Sequence, residues 1–129
     1  MKITRFEELN IWKNSLRITK LIYDISSAGS FSKDYNLRDQ IRRAMISISS
    51  NIVEGFEKRN NNEFMRYLRI AKGSTGEVRN QLYIASTIGY VSKDEFDCLD
   101  KDLLELSNQI GRFLSYLMKN KQEHNFLTR

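Results

Sequence analysis

Proline is absent from this chain, and cysteine (Cys98) and histidine (His124) occur once each. Without proline, nothing forces a break inside a helix or pre-sets a turn, so long uninterrupted helices are favoured. A single cysteine excludes an intramolecular disulfide and points to a reducing, cytoplasmic setting. One histidine, near the C-terminus, leaves histidine-based catalysis and a histidine metal site without residues to work with. Metal-binding helical bundles use inward glutamates and Glu-x-x-His pairs, and no such pair occurs. There is no phosphate-cradling loop and no G-x-G-x-x-G. Cys98, with no histidine near it in sequence, reads as a partly exposed thiol rather than a nucleophile. No catalytic residue, cofactor or metal is expected. The charge-free runs at residues 44–53 and 81–92 are too short or too polar to span a bilayer. The opening MKITRFEELN lacks the apolar core of a signal peptide. No membrane association is expected.

What is present is helical periodicity. The length suits one domain, and 40% hydrophobic with 29% charged residues is enough to build a core without staples. One domain over residues 1–129 is expected, with a core of about 6–118 and a polar tail at 119–129. Ile11, Ser15, Ile18, Ile22 and Ile25 recur at helical spacing, widened by Leu9, Trp12, Leu16 and Leu21, and predict a helix over residues 8–26. Leu37, Ile41, Ala44, Ile48 and Ile52 predict a second over 36–57, with Asn36 as its N-cap. Phe64, Leu68, Ala71, Thr75, Val78, Leu82 and Ala85 predict a third over 61–88, started by Asn60 with Glu63 and closed by Gly89. Phe96, Leu99, Leu103, Leu106, Ile110, Phe113 and Leu117 predict a fourth over 93–118, opened by the capping box of Ser92 and Glu95. Four helices joined by short loops imply an all-α, antiparallel up-down-up-down four-helix bundle.

Two features point beyond the core. Residues 44–53 (AMISISSNIV) carry no charge on any face, and Met45, Ile46 and Val53 lie outside the main apolar stripe. Such a helix is either central in its own domain or buried against another subunit, so these three are candidate oligomer-interface residues. Gly73 and Gly76, with Ala71, leave a shallow surface that lets another helix approach. Ser47, Asn51 and Glu54 share one side of the second helix, and Ser74, Glu77 and Gln81 share one side of the third. They read either as a polar site between the helices or as a hydrogen-bonded network setting their register, and the network is the favoured reading.

The net charge is +5 and the sequence pI about 9.4, which permits an anionic partner without requiring one. Arg38, Arg42, Arg43, Arg66, Arg69, Lys72 and Arg79 are the candidate nucleic-acid-binding set, and Arg66, Arg69, Lys72 and Arg79 form one basic face of the third helix. The start of the fourth helix is the reverse, with Asp94, Glu95, Asp97, Asp100, Asp102 and Glu105 against Lys93 and Lys101. These patterns read as solvated faces, as a phosphate-binding strip, or as complementary subunit surfaces suited to head-to-tail association.

Several strings carry a family resemblance. They are Phe6-Glu7-Glu8-Leu9 with Ile11-Trp12-Lys13, Asp39-Gln40-Ile41-Arg42-Arg43-Ala44, Ser47-Ile48-Ser49-Ser50-Asn51-Ile52-Val53-Glu54-Gly55, and Leu68-Arg69-Ile70-Ala71-Lys72-Gly73-Ser74. Over residues 6–118 the chain resembles the bacterial four-helix bundle proteins first noted as reading frames inside 23S rRNA intervening sequences. That family often carries proline near Phe31 and Ser49, where this chain has none. The resemblance implies a four-helix bundle, commonly a homopentameric ring, and a relation to the basic accessory protein of diversity-generating retroelements, which works with RNA. Together with the charge pattern it implies a non-enzymatic, cytoplasmic homo-oligomer that binds nucleic acid, RNA rather than DNA. The alternative is a protein-interaction scaffold whose charge asymmetry serves only self-assembly.

Overall fold

The computed structural model describes residues 3–120 and consists of four long helices with two short 3-10 turns. A 3-10 turn at Phe6–Glu8 precedes α1 (Asn10–Ser26), and a second at Gly29–Lys33 joins α1 to α2 (Tyr35–Glu57). Two tight connections then lead into α3 (Asn61–Ile88) and α4 (Lys93–Asn120). There is no strand among the described residues. Each helix packs on its chain neighbours and α1 closes on α4, so the helices occupy the corners of a square. The α1/α4 seam is the loosest and lies opposite the α2/α3 seam, the tightest.

The helix ends follow local chemistry. Ser92 and Glu95 cap each other: the Glu95 N–H donates to Ser92 Oγ at 3.1 Å and the Ser92 N–H to Glu95 Oε1 at 2.8 Å. Asn60 Oδ1 accepts from the Glu63 N–H. Gly89 adopts φ +95°, and the bonds from Tyr90 N to Ala85 O and from Gly89 N to Ser86 O close α3 in a Schellman turn. Two expectations are corrected. Helix α1 starts at Asn10 rather than residue 8, because Leu9 is extended and buried. The N-cap of α2 is Asp34 and not Asn36: Asp34 Oδ1 accepts from the Leu37 N–H, while Asn36 accepts from the Gln40 amide. Asp34 also accepts from the Tyr90 hydroxyl, which pushes that phenol above its ordinary pKa. The Tyr90 ring stacks on fully buried Phe31, so the turn before α2 is pinned to the α3–α4 connection.

The core is most of the stripe set expected from periodicity, with Ile18, Ile22, Ile41, Ile48, Ile52, Phe64, Leu68, Val78, Leu82, Leu103, Leu106, Ile110 and Leu117 fully buried; Leu16 and Leu21, expected to widen the α1 stripe, are instead exposed. Gly55 is what lets α2 and α3 close up. A Cβ at that position would lie 2.6 Å from Tyr67 Cβ and 3.1 Å from Phe64 Cδ1. Gly73 and Gly76 do nothing of this kind within the chain: both are exposed, and a Cβ on either meets nothing within 4 Å.

Candidate nucleic-acid interface

The basic residues expected to form one set divide into two groups once folded. Arg38, Arg42 and Arg79 are drawn into the bundle's own contacts. The Arg38 guanidinium pairs with Asp39 at 2.9 Å and donates to Ser32 O. Arg42 donates to the Ser26 and Ser27 hydroxyls and lies over the Tyr23 ring, clamping α2 to the end of α1. Arg79 pairs with Asp100 at 2.8 Å across the α3/α4 seam, and that bond holds its guanidinium above its ordinary pKa. Arg42 and Arg79 thereby hold neighbouring helices in register, while Arg38 ties the start of α2 to the 3-10 turn before it. Periodicity shows which residues share a face but not which acid on the next helix meets them, so the sequence could not show it.

The second group gathers at the end of the bundle formed by the α2–α3 connection. Helix α2 is followed by Lys58, its C-cap, and Arg59, which takes the left-handed conformation (φ +55°) that turns the chain into α3. Its guanidinium lies over Phe56 and donates to Thr4 O. One to three turns into α3 come Arg66, Arg69 and Lys72, all exposed. Arg66 pairs with Glu63 at 3.1 Å in an exposed i,i+3 contact that raises its pKa, a pair worth little against solvent. Lys72 Nζ donates to Ser107 Oγ. Arg69 makes no ion pair among the described residues, nor does Arg43, which stands apart from both groups in the N-terminal half of α2. Tyr67 lies between two of these cations, 4.5 Å from the Arg66 guanidinium and 5.8 Å from Lys58 Nζ, with its hydroxyl donating to Glu54. Lys58, Arg59 and Tyr67 were not among the expected site residues. The signal that could have found them is the Lys-Arg pair beside the Asn60-Asn61-Asn62 turn. The opposite end of the bundle is acidic, carrying Asp94, Glu95, Asp97, Asp100 and Asp102 on the first turns of α4.

The polar network is smaller than expected. Ser47 Oγ meets Ser74 Oγ at 3.0 Å across α2/α3, and Asn51 Nδ2 donates to Ser47 O at 2.8 Å and to Ser47 Oγ at 3.0 Å. Glu54 is engaged by Tyr67 instead, Glu77 is exposed, and Gln81 is buried with its Oε1 unpaired. The three linked residues set register and enclose no site. Among the proposed interface residues Met45 is corrected: it is 0% exposed, because α2 packs against both α1 and α3 and the bundle's own core takes that face. Ile46 is 43% exposed, and Val53 is half-buried. Cys98 is exposed. His124 and residues 121–129 of the expected tail lie outside the described residues. No group of three or more His, Cys, Asp or Glu side chains among the described residues could hold a metal, and no helix there is long and apolar enough to cross a membrane.

Four antiparallel helices around one apolar core define the class as an all-α bundle protein. Its family is set by sequence: the model of the 23S rRNA-intervening sequence protein matches residues 7–112, and the chain belongs to that family. The crystal structure of a protein of unknown function from the S23 ribosomal protein family of Bacteroides thetaiotaomicron VPI-5482 has the same fold. It superposes with a TM-score of 0.73 at 20% identity, over 81% of this chain and 97% of that one. No curated protein matches this chain.

Proposed function

We propose that this chain is a non-enzymatic homo-oligomeric protein that binds single-stranded RNA along its cationic end. The observation that carries the reading is the run of exposed cations Lys58, Arg59, Arg66, Arg69 and Lys72 over the α2–α3 turn and the first three turns of α3, with Lys58 and Arg66 flanking the Tyr67 ring, against Glu54, Glu57 and Glu63. Phosphates on a flexible strand meet these cations without deep burial, and an aromatic ring held between cations offers a face for a base. Such contacts position a strand but do not read its sequence. The family's own name ties it to an intervening sequence of 23S rRNA, which favours RNA over DNA. A ring that repeats the cationic end in each subunit would raise affinity by avidity alone.

The experiment is fluorescence anisotropy with a labelled single-stranded oligoribonucleotide across a salt series. Binding weakens with salt by about 0.7 log units per log unit for each phosphate contact. The Arg69→Glu/Lys72→Glu double variant lowers that slope by roughly 1.4, at about 0.7 per lost contact, and does so alike for unrelated sequences. Helical circular dichroism and mass by light scattering stay unchanged. Wild-type protein that binds neither RNA nor DNA at low salt overturns the reading. A specific observation supports the scaffold alternative: Arg38, Arg42 and Arg79 are already engaged within the bundle. If Arg69→Glu/Lys72→Glu instead dissolves the oligomer, the scaffold reading replaces the RNA reading.

A further inference from the structure

The loosest seam of the bundle leaves a groove of about 480 Å³ between the C-terminal half of α1 and the N-terminal turns of α4. Its floor is apolar, with Leu21, Ile25 and Leu99 along it, and Leu21 is 36% exposed. The Arg17–Asp102 pair fixes how the two antiparallel helices stand against each other. It places the Leu21 end of the groove by Asp102 and the far end by Asp94 and Glu95, with Asp24 between them on the α1 wall. Apolar surface and carboxylates therefore share one line, and no Lys or Arg among the described residues lines it.

These carboxylates are weakly engaged. Asp94 makes no ion pair among the described residues. Asp24 and Asp102 pair with Lys20 and Arg17, whose side chains are 78% and 53% exposed, and exposed pairs of this kind exchange partners at little cost. Glu95 accepts from the Ser92 N–H through one oxygen. From Glu95 to Asp102 the line runs about 10 Å along α4, at roughly 1.5 Å per residue. A partner helix needs more than this, because specific interfaces bury about 800 Å² on each side and two turns of groove wall do not offer that. The groove suits a small, extended, cationic molecule.

We propose that the α1/α4 groove binds a linear aliphatic triamine. Its methylene segments lie on Leu21, Ile25 and Leu99, and its ammonium groups meet Asp102, Asp24 and the Asp94–Glu95 end. An ammonium donates charge-assisted hydrogen bonds to a carboxylate, and methylenes gain by leaving water for an apolar floor. An inorganic cation meets only the first demand, and a neutral apolar molecule only the second. An extended triamine reaches from one end of the carboxylate line to the other, whereas a four-carbon diamine falls short. The groove lies at the end of the bundle away from Lys58, Arg66 and Arg69, so the site is independent of the RNA reading.

The test is isothermal titration calorimetry of the full-length protein with spermidine, at fixed ionic strength in sodium chloride. One site per chain is expected. Putrescine, the four-carbon diamine, binds about tenfold more weakly, since it lacks one charge-assisted contact. Asp24→Asn/Asp94→Asn and, separately, Leu21→Ser each weaken spermidine binding by about tenfold or more. Asp97→Asn, on the same turns of α4 but outside the groove, changes nothing. Circular dichroism checks that the variants fold. Cys98 supplies a reading that needs no substitution. It lines the groove and is the chain's only cysteine, so alkylation with N-ethylmaleimide places a bulky group in the site and abolishes binding. Absence of spermidine binding overturns the inference, as does an alkylated protein that binds spermidine as before or putrescine that binds as tightly. Binding that Leu21→Ser leaves unchanged, or that magnesium chloride at the same ionic strength abolishes, marks a general acidic surface and overturns it too.

Discussion

Replacing Gly55 by alanine tests the packing argument most directly, because two opposing effects can be weighed from the geometry. Within a helix, alanine is favoured over glycine by about 1 kcal/mol. The new methyl would lie 2.6 Å from Tyr67 Cβ, 3.1 Å from Phe64 Cδ1 and 3.4 Å from Phe64 Cα. Tyr67 Cβ is attached to the α3 backbone and has no torsion by which to retreat. Phe64 is held edge-on by Phe56 at 5.8 Å and by Phe113 at 5.5 Å between ring centroids. Relief therefore requires the tightest pair of helices to move apart, and overpacking of a rigid core costs about 1–3 kcal/mol. With little room to yield, the upper part of that range applies, and the net loss is about 2 kcal/mol. For a domain of this size that lowers Tm by roughly 5–10 °C. The assay is thermal unfolding by circular dichroism, with Gly76→Ala as control. A methyl at Gly76 meets nothing within 4 Å, so the propensity term acts alone and stability rises by about 1 kcal/mol. A Gly55→Ala protein as stable as wild type, or a Gly76→Ala protein destabilised as much as Gly55→Ala, would refute this account of the α2/α3 approach.

Two further outcomes follow from burial and capping. Met45→Ala removes a fully buried side chain and costs about 2–5 kcal/mol of folding stability; in chemical denaturation its unfolding midpoint falls, whereas Ile46→Asp changes the assembled mass at little cost to the fold. Ser92→Ala removes the acceptor of the Glu95 N–H and lowers stability by about 1 kcal/mol, read as a shift in the urea midpoint with unchanged slope.

Periodicity by itself determined most of this molecule. The stripes in α3 and α4 carry the core at regular three- and four-residue steps, and Asn60, Gly89, Ser92 and Glu95 mark helix ends through bonds that reach only a few residues, so both were legible in the chain. The start of α2 was not, because Asp34 competes with Asn36 as a cap and wins through a local turn that also takes the Tyr90 hydroxyl from far along the sequence. The fates of the arginines were decided only by tertiary structure. Arg66, Arg69, Lys72 and Arg79 look equivalent on a helical wheel, yet Arg79 alone meets Asp100 on α4 while Arg69 stays without an ion pair, since partners across a seam depend on how two helices are set against each other. Met45 read as an oligomer-interface residue because it lies off the main stripe, but a helix with neighbours on two sides buries more than one stripe. Gly55 gave no warning among the six glycines, because the need for a missing side chain belongs to the helix packed against it, not to the helix that carries it.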